Sequence, residues 1–458
     1  MSKLPFPQAG KNDFYKVKPL MPTGATQEDL NNAVIRQFKQ LTENGDITID
    51  PATVPGKTAD EIAKMTLSEM IALNPKFRMV MKHTTGGGAA DTQVTSSESM
   101  GYGMLMLVTL AGADEALGIN TKEYFDGMFR SLMHWNSWID VNEKPSRLMS
   151  WQLIQPKGAG TPYQRPRFEH DPSYGQDDDA ATDGDLDMTF ALFMADKQWG
   201  SDGEYDYKSY AHTMLNDIWE RMIDIDSDEH KRLGVEANYH VKPGDWASAD
   251  EHWVPAYGLL WDLTRPSDHM LDHFKVFKIL DPVHDWQKVI DATYECIRQL
   301  CEKNSTGLLP DFAMFDRETK TWKPVPGTEN DHWENPEDGE YHQNACRTPW
   351  RLGTDYLLSG KTPVDDVCIK PLNTHLKKAS GGQFDKITGY LLDGTPYGEN
   401  TPYYSNPPLV LAAASGDREW LDNGWNYSKN LKWHDDRYGS YLNVLALIVA
   451  SGNYWLPI

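Results

Sequence analysis

Three aspartates at alternate positions stand directly before a long apolar segment. Asp183, Asp185 and Asp187 open the stretch 180–200, AATDGDLDMTFALFMADKQWG, in which apolar side chains recur on nearly every face of a helix. A helix that is apolar all round belongs in the core of a protein. Thr182, three residues before Asp185, has the type and spacing of an N-cap in a capping box. The stretch therefore predicts carboxylates at the mouth of a buried helix, where pKa values shift and substrates bind.

A further acid, Glu98, stands at the start of another apolar helix, predicted over 98–113. Desolvation beside that helix would keep its carboxyl protonated near neutral pH, as a general acid requires. A glutamate in the first helical turn also serves as a partner of the helix dipole, so its position alone leaves both roles open. We expect the glycines at 101 and 103 to let the backbone approach a ligand closely.

The acidic balance of the chain limits its partners. Of the 458 residues, 67 are acidic and 44 are basic, and the formal net charge of −23 argues against nucleic acid as a partner. This charge either keeps the surface soluble or, in part, lines a cleft for a cationic ligand. No apolar run approaches the length of about eighteen residues that a membrane span needs, so we expect no membrane partner.

Motifs for metals and nucleotides are missing from the sequence. No CxxC pair occurs, so we expect the cysteines to be free and mostly buried. They are Cys296, Cys301, Cys346 and Cys368. The Asp-rich run 177–187 fits a calcium loop poorly, because apolar residues fall on ligand positions. There is no HExxH motif, and the triple glycine at 86–88 lacks the ending of a phosphate loop, so we expect neither a metal nor a cofactor.

Helical periodicity dominates the chain, and convincing alternating strands are scarce. Thr26 is predicted to cap a helix through Gly45, and Asn120 with Glu123 to begin another after 98–113. Further helices are predicted at about 206–224, 265–280, 285–303, 345–358, 405–416, 417–432 and 438–452. Residues 1–25, rich in Pro and Gly, are expected to form an extended arm. No low-complexity linker divides residues 1–458, so we predict one all-α domain.

Two long inserts interrupt the helical pattern. They cover 155–179 and 304–343. Long loops in a compact domain commonly carry function, so we expect these inserts to build the site.

Several segments together resemble glycoside hydrolase family 8. The sequence SESMGYGM at 97–104 resembles the acid-bearing motif of that family, and 181–199 resembles its signature segment. The likeness continues, in order, at 244–246, 264–268, 344–349 and 451–455, and the arm segment 4–8 resembles the bacterial chitosanases of the family. The resemblance implies an (α/α)6 barrel with a long substrate cleft at one end, and inverting hydrolysis of a β-1,4-linked polysaccharide.

Inversion needs one carboxyl group to protonate the leaving oxygen and a second to activate a water from the opposite side. The resemblance assigns the acid to Glu98. In one branch of the family the base is an aspartate directly before the Ala-Cys/Ser-Arg motif, but here that residue is Asn344, whose amide cannot accept the proton. The departure resembles the chitosanase and lichenase branch, in which a loop glutamate acts, and Glu334 aligns with that residue. The next candidate is Glu337, and the same loop holds Asp331, Asp338 and Glu340.

Asp183 matches the third essential acid of the family, which holds the sugar at the point of cleavage. Asn344 is expected to support the attacking water by hydrogen bonding. Because acids two positions apart at one helix start cannot flank a sugar from opposite faces, Asp185 and Asp187 are assigned to capping and packing. Sugars stack on aromatic rings, although each tryptophan could equally pack in the core. The expected cleft-wall residues are Tyr102, Trp151, Trp246 and Arg347.

The sequence thus predicts an endo-acting glycoside hydrolase of the chitosanase type. The whole-chain resemblance and the negative charge favour chitosan, whose glucosamine units are cationic when protonated. A lichenase or other β-glucanase is the alternative, and a catalytically silent polysaccharide-binding protein is an alternative of another class. We expect a monomer, secreted because its substrate is a polymer. The start MSKLPFPQAG has no hydrophobic signal region, which fits a mature secreted form and leaves a cytoplasmic protein open.

Overall fold

A computed structural model describes residues 2–11, 13–83, 93–137, 146–165, 179–247, 259–328, 332–433 and 436–458. Within these residues lie seventeen α-helices. They are α1 (Gln27–Glu43), α2 (Ala59–Ile62), α3 (Leu67–Leu73), α4 (Ser97–Thr109), α5 (Asp114–Leu117), α6 (Thr121–His134), α7 (Thr182–Trp199), α8 (Tyr207–Met222), α9 (Asp228–Leu233), α10 (Leu271–Leu280), α11 (Trp286–Cys301), α12 (Thr348–Ser359), α13 (Lys370–Ala379), α14 (Pro402–Ser405), α15 (Pro408–Ala414), α16 (Arg418–Lys429) and α17 (Arg437–Ala450).

The strands of the described residues are short and pair only antiparallel. They are β1 (Ile47–Ile49), β2 (Met79–Met81), β3 (Gln93–Ser96), β4 (Gln152–Ile154), β5 (Leu263–Thr264), β6 (Ala313–Asp316), β7 (Thr321–Pro324), β8 (Gly389–Tyr390) and β9 (Pro396–Tyr397). The sheets are β1-β2, β3-β4, β5-β6-β7 and β8-β9. Such small sheets serve to join and fix the segments between helices, which agrees with the expected scarcity of strands.

Six helices form a closed inner ring. In the order α4, α7, α10, α12, α15 and α17, each packs on the next, and α17 returns to α4. A second layer packs outside it, with α6 on α4, α8 on α7, α11 on α10, α13 and α16 on α15, and α1 on α17. This arrangement is the predicted (α/α)6 barrel, and the all-α fold class is confirmed.

The apolar pattern of each helix decides its layer. Every residue of α4 except Glu98 is buried, α17 is buried from Tyr438 to Ala450, and α7 is buried from Thr182 to Ala195. In contrast, α11 buries residues at helical spacing along one face and leaves the other face to solvent. Helices apolar all round therefore form the inner ring, and amphipathic helices form the outer one.

Two glycines bring α4 and α7 into close contact. A Cβ at Gly184 would stand 2.2 Å from the carbonyl carbon of Ser97, and one at Gly101 would stand 2.7 Å from the Cβ of Asp187. Only glycine fits at such distances, so these positions allow the first turns of the two helices to lie side by side. At 101, the expected role in approaching a ligand is wrong, because the close neighbour is a helix.

The amino-terminal segment crosses the carboxyl ends of the inner helices. The N–H of Lys3 donates to Gln198 at the end of α7, that of Phe6 to Ala111 just beyond α4, and that of Leu20 to Ala413 in α15, at 2.8–2.9 Å. The residues described within 2–25 contain no helix or strand. Because this end of the barrel is covered by backbone, the amino-terminal ends of the inner helices form the other face.

Most predicted helices are confirmed within a few residues, including the capping box of Thr26 with Asp29 and the N-cap at Asn120. The N-cap predicted at Thr182 is wrong: α7 begins one residue earlier than expected, and the Thr182 hydroxyl donates to the carbonyl of Lys242 at 2.6 Å. The four cysteines are free and buried, as predicted. Among the helices of the described residues, none has both the length and the apolar character that crossing a membrane requires.

Candidate active site

Arg347, directly before α12, is the centre of a hydrogen-bonded cluster at the amino-terminal face. Its Nη1 donates to Glu98 Oε1 at 2.8 Å and to Asp183 Oδ2 at 2.6 Å. Its Nη2 donates to Ser267 Oγ at 2.7 Å and to Asn344 Oδ1 at 3.1 Å. The guanidinium therefore joins the first turns of α4 and α7 to two loops that are distant in sequence.

Glu98 has the environment of a proton donor. Its carboxyl group lies against the protein interior, and 18% of the side chain is exposed to solvent. Burial raises the pKa of Glu98, the Arg347 charge opposes that rise, and the Asp183 charge adds to it. The hydroxyl of Tyr102, one turn further along α4, donates to Glu98 Oε1 at 2.8 Å and fixes its orientation. A carboxyl group with a raised pKa that still reaches solvent can protonate a leaving oxygen.

Asp183 has the opposite electrostatic setting. Burial would raise its pKa, but the charges of Arg347 and Arg265 and the N–H of Gly184, which donates to Oδ1 at 2.8 Å, hold it below the usual value. The pKa of Asp183 is therefore lowered, whereas the pKa of the neighbouring Glu98 is raised. Neighbouring acids whose environments move their pKa values apart are typical of sites with acid/base chemistry.

Glu334 is fixed at both carboxylate oxygens. Arg265 Nη2 donates to Oε1 at 2.8 Å, and Asn344 Nδ2 donates to Oε2 at 2.8 Å. Arg347 and Asn344 therefore form a bonded bridge between Glu98 and Glu334. With 35% of its side chain exposed, Glu334 is the most accessible acid of the group.

The loop that carries Glu334 is held by a buried carboxylate. Asp338 accepts the N–H groups of Trp333, Glu334 and Asn335 at 2.6, 3.0 and 2.9 Å. The side chain of Asp338 therefore stabilises the conformation of the loop. Burial raises the pKa of Asp338, and these three donors oppose the rise.

The remaining acids of the loop can be compared with Glu334. Glu340 accepts the N–H of Leu392 and so binds a different segment of the chain. The charge of Glu337 contributes to the raised pKa values of His342 and Tyr397. Asp331 lies outside the described residues. Among the described acids of the loop, Glu334 is the one bonded to the cluster around Arg347.

The segment Thr264–Asp268 contributes partners that sequence reasoning quoted only as part of a motif. Arg265 binds Glu334, Ser267 accepts from Arg347, and Asp268 lies 3.5 Å from Arg265 and 3.4 Å from Arg347. Burial raises the pKa of Asp268 to about 7 despite the two arginines. In the sequence, the only signal was an arginine and an aspartate flanking Pro-Ser. This pattern does not indicate which residues the two side chains contact.

The expected cleft wall is only partly where the sequence placed it. For Tyr102 and Arg347 the wall assignment is wrong, because both side chains are fully buried beneath Glu98 and Asp183. Trp246 is partly exposed and stacks on Trp333 at 4.9 Å and 14°. Trp151 is also partly exposed, and its carbonyl accepts the N–H of Ser97 at the start of α4. Trp246 thus contacts the residue before Glu334, and the Trp151 backbone contacts the residue before Glu98.

Of the two inserts expected to build the site, one contributes to it and the other lies largely outside the described residues. The insert 304–343 forms β6, β7 and the Glu334 loop, whereas residues 166–178 of the insert 155–179 lie outside the described residues.

Asp185 accepts the N–H of Met149 at 2.9 Å, and Asp187 forms a buried ion pair with Arg351. Among the described residues, no group of three or more His, Cys, Asp or Glu side chains could hold a metal ion.

A double ring of helices carries Glu98, Asp183 and Glu334 at one mouth, and hydrolysis of a glycosidic bond commonly uses a pair of such carboxyl groups. The model of glycosyl hydrolases family 8 matches residues 85–330, more than half of the chain. The chain belongs to this family and is a glycoside hydrolase. The matched region contains Glu98, Asp183 and Arg265, and it ends before Glu334.

The relatives found by sequence are glucanases. The chain is 32% identical to a β-glucanase of Niallia circulans over 366 residues, covering 79% of this chain and 77% of the relative. It is 28% identical to an endoglucanase of Bacillus sp. strain KSM-330 over 443 residues, covering 96% and 80%. A β-1,3-1,4-glucanase of Paenibacillus sp. X4 has a similar structure, with a TM-score of 0.74, 28% identity and 99% of each chain covered.

Proposed function

We propose that this enzyme is an inverting endo-glucanase that cleaves a neutral β-glucan with mixed 1,3 and 1,4 linkages. The observation that carries the mechanism is the bridged arrangement of Glu98 and Glu334 across Arg347 and Asn344. The relatives named above support a glucan, and none of those three is named a chitosanase.

Each acid has one role in the proposed reaction. Glu98 donates its proton to the leaving glycosidic oxygen as the bond to the anomeric carbon breaks. Glu334 accepts a proton from the water that attacks the opposite side of that carbon. Asp183 remains ionised and holds the sugar at the point of cleavage. Asn344 lacks a basic oxygen, but its amide orients the Glu334 carboxylate.

The charge balance of the cluster bears on the substrate. Arg347 and Arg265 lie among Glu98, Asp183, Asp268 and Glu334. The raised pKa of Glu98 and the pKa of about 7 of Asp268 reduce the negative charge of the acids, and the two arginines offset much of the remainder. Such a centre offers little attraction to a protonated amino sugar. This balance favours a neutral glucose unit at the point of cleavage.

Chitosan is the second candidate, because the chain as a whole carries a formal net charge of −23. A hydrolysis panel of barley β-glucan, lichenan, carboxymethylcellulose and chitosan separates the two substrates. We expect rapid release of reducing ends from the mixed-linkage glucans. Activity on chitosan alone would reject the glucan proposal, and binding without hydrolysis of any polymer would support a silent binding protein.

Stereochemistry and substitution test the mechanism. Proton NMR of the first product should show the α-anomer, and a β-anomer would reject inversion. E334Q should lower kcat by about 10³-fold, since a positioned general base contributes about 10²–10⁴-fold. The matched control is E337Q, which alters a glutamate of the same loop and should keep near-parental turnover. If E337Q is the inactive variant and E334Q the active one, the base is Glu337.

A further inference from the structure

Arg265 occupies the space between the proposed base and the acid that holds the sugar. Its Nη2 donates to Glu334 Oε1 at 2.8 Å, and its Nη1 lies 3.8 Å from Asp183 Oδ2. With 10% of its side chain exposed, the guanidinium is nearly withdrawn from solvent. A buried cation that bridges two functional carboxylates from a different segment of the chain requires an explanation beyond fold stability.

Arg265 is itself held in place. The segment Pro266–Asp268 forms a short 3-10 helix, and Asp268 Oδ2 lies 3.5 Å from Arg265 Nη1. The guanidinium also lies over the ring of Phe312, with its carbon 5.0 Å from the ring centre. Asp268 and Phe312 therefore help to fix the plane of the guanidinium that reaches Glu334.

Glu334 depends on such a partner. It lies in a loop, and its own backbone is fixed through Asp338 rather than through a helix or strand. Three side-chain torsions separate the backbone of this glutamate from its carboxylate. In the described residues, only Arg265 and Asn344 are hydrogen-bonded to its oxygens. A displacement of about 1 Å in a catalytic group can cost about 10²-fold in rate.

We propose that Arg265 is a positioning residue for the base, directing the Glu334 carboxylate toward the attacking water through its hydrogen bond to Oε1. This inference rests on the proposed role of Glu334. It assigns Arg265 an action through Glu334 and not a direct contact with the reacting atoms. The planar fork of arginine is suited to the task because one nitrogen faces Glu334 while the other faces Asp183 and Asp268, which an ammonium group cannot do.

The first test compares R265Q with a matched control, R317Q. Arg317 is 13% exposed, binds Asp262 and Asp224 at 2.6 and 3.1 Å, and lies over the ring of Trp261 at 4.5 Å. It thus has the burial, the pairing with more than one carboxylate and the aromatic contact that Arg265 has, but it does not touch Glu334. We expect R265Q to lower kcat by about 10²-fold with KM changed by less than about threefold. R317Q should change kcat by less than about twofold.

R265K is the second variant, and it carries the test if R265Q proves unfolded by circular dichroism at the assay temperature. It keeps the charge but loses the fork, so we expect a fall in kcat of about 10-fold. Parental kcat in R265K, or equal losses in R265Q and R317Q, would overturn the proposal.

A double-mutant cycle shows whether Arg265 acts through the base. In the E334Q background, R265Q should lower the residual kcat by less than about threefold, because residues that act as a unit are not additive. A further 10²-fold loss would overturn the positioning role and leave the base assignment standing. Near-parental activity of E334Q would instead reject Glu334 as the base, and the Arg265 proposal with it. The cycle is measured on whichever polymer the parent hydrolyses, so it does not depend on the choice of glucan.

Discussion

Two clusters of acid and arginine lie one helical turn apart in the barrel and behave differently. The mouth cluster contains Glu98, Asp183, Asp268, Glu334, Arg265 and Arg347. The deep cluster contains Asp187, Asp272, His273, Arg351 and Tyr454. Asp187 follows Asp183 by four residues on α7, and Arg351 follows Arg347 by four residues at the start of α12. The same pair of residue types is therefore repeated on the same two helices.

The deep cluster is closed. Arg351 binds Asp187 through both amino nitrogens, at 2.9 and 2.6 Å. His273 lies 2.9 Å from Asp187 and 3.0 Å from Asp272, which also accepts the hydroxyl of Tyr454. No charged side chain of this cluster is more than 3% exposed. Paired and buried in this way, these groups hold α7, α10, α12 and the carboxyl terminus together.

In the mouth cluster, several acids share one arginine, and two of the acids are exposed to solvent. Arg347 divides one guanidinium among three acids, whereas Arg351 gives both amino nitrogens to one. Glu98 and Glu334 reach solvent, with 18% and 35% of their side chains exposed. An ion pair supports the fold where its groups are buried and paired with each other, and it becomes available for chemistry where several acids share a cation beside solvent.

The largest expected effect is on turnover at the mouth. E98Q removes the proton donor, so kcat should fall by about 10³-fold with a natural glucan. The free energy of unfolding should change by less than about 1 kcal/mol, because Arg347 keeps Asp183 and Asp268 as partners. Initial rates and urea unfolding measure the two quantities. Near-parental turnover would remove Glu98 from the mechanism, and a large loss of stability would show that the mouth cluster is structural too.

D187N and D183N form the most direct comparison, since they make the same change one turn apart on α7. D187N leaves Arg351 buried without its carboxylate, so we expect the free energy of unfolding to fall by about 3–5 kcal/mol. D183N leaves Arg347 with Glu98 and Asp268, so its loss should be less than half as large. The order of kcat should be reversed, with D183N the less active protein where both are folded. Equal stability losses would break the distinction between the clusters.

The deep cluster should also give a pH dependence of stability. Burial opposes the charge of His273, but Asp272 and Asp187 more than offset it and raise its pKa above 6.5. A raised pKa stabilises the folded state fully below the unfolded value of about 6.5, and this contribution is lost as pH rises through the folded pKa. The free energy of unfolding of the parent should therefore decline above neutral pH.

H273Q supplies the control for that prediction. Glutamine keeps a donor for Asp187 but does not titrate, so the difference in free energy of unfolding between the parent and H273Q should shrink from pH 6 to pH 9. Urea unfolding at intervals of pH measures it. A difference that is constant, or that grows with pH, would show that His273 is not charged in the folded protein.

The barrel could be predicted because the apolar pattern of each helix is local, whereas the roles of Arg265 and Asp268 in the mouth cluster could not. The apolar runs of α4 and α7 identify inner helices without any tertiary information. The motif resemblance supplied Glu98, Asp183 and Glu334 as candidates for the site. The partners of these acids arise from contacts across long separations: Arg265 and Glu334 are 69 residues apart, and Arg347 and Glu98 are 249 apart.

Other misses have equally physical reasons. Thr182 has the right type for an N-cap. However, Ala181 pairs with Gly244, and the Thr182 hydroxyl donates to the carbonyl of Lys242 instead of capping the helix. Helix α13 was not predicted; it is polar on its outer side and contains a proline at 371. For Tyr102 and Trp246, spacing could not tell a wall from a core, and only the packing shows that one is buried and the other partly exposed.

The smallest expected effect concerns Tyr102, which connects the two clusters. Its hydroxyl donates to Glu98 in the mouth cluster, and its ring meets Trp350 edge-on at 5.9 Å, next to Arg351. That hydrogen bond favours the carboxylate form and lowers the pKa of Glu98, so Y102F should raise it. Because the acid must be protonated, activity is lost as pH rises through its pKa. The basic limb of the kcat/KM profile should therefore move to higher pH.

Y163F is the matched control for this shift. Tyr163 is also buried, and its hydroxyl donates to the carbonyl of Ile49 at 3.0 Å, so Y163F removes a buried hydrogen bond that does not involve the acids of the mouth cluster. It should leave the basic limb in place even if it costs as much stability as Y102F. A shift of the Y102F limb to lower pH would mean that the hydroxyl stabilises the protonated acid. Equal profiles for Y102F and the parent would mean that Arg347 and burial alone set the acidity of Glu98.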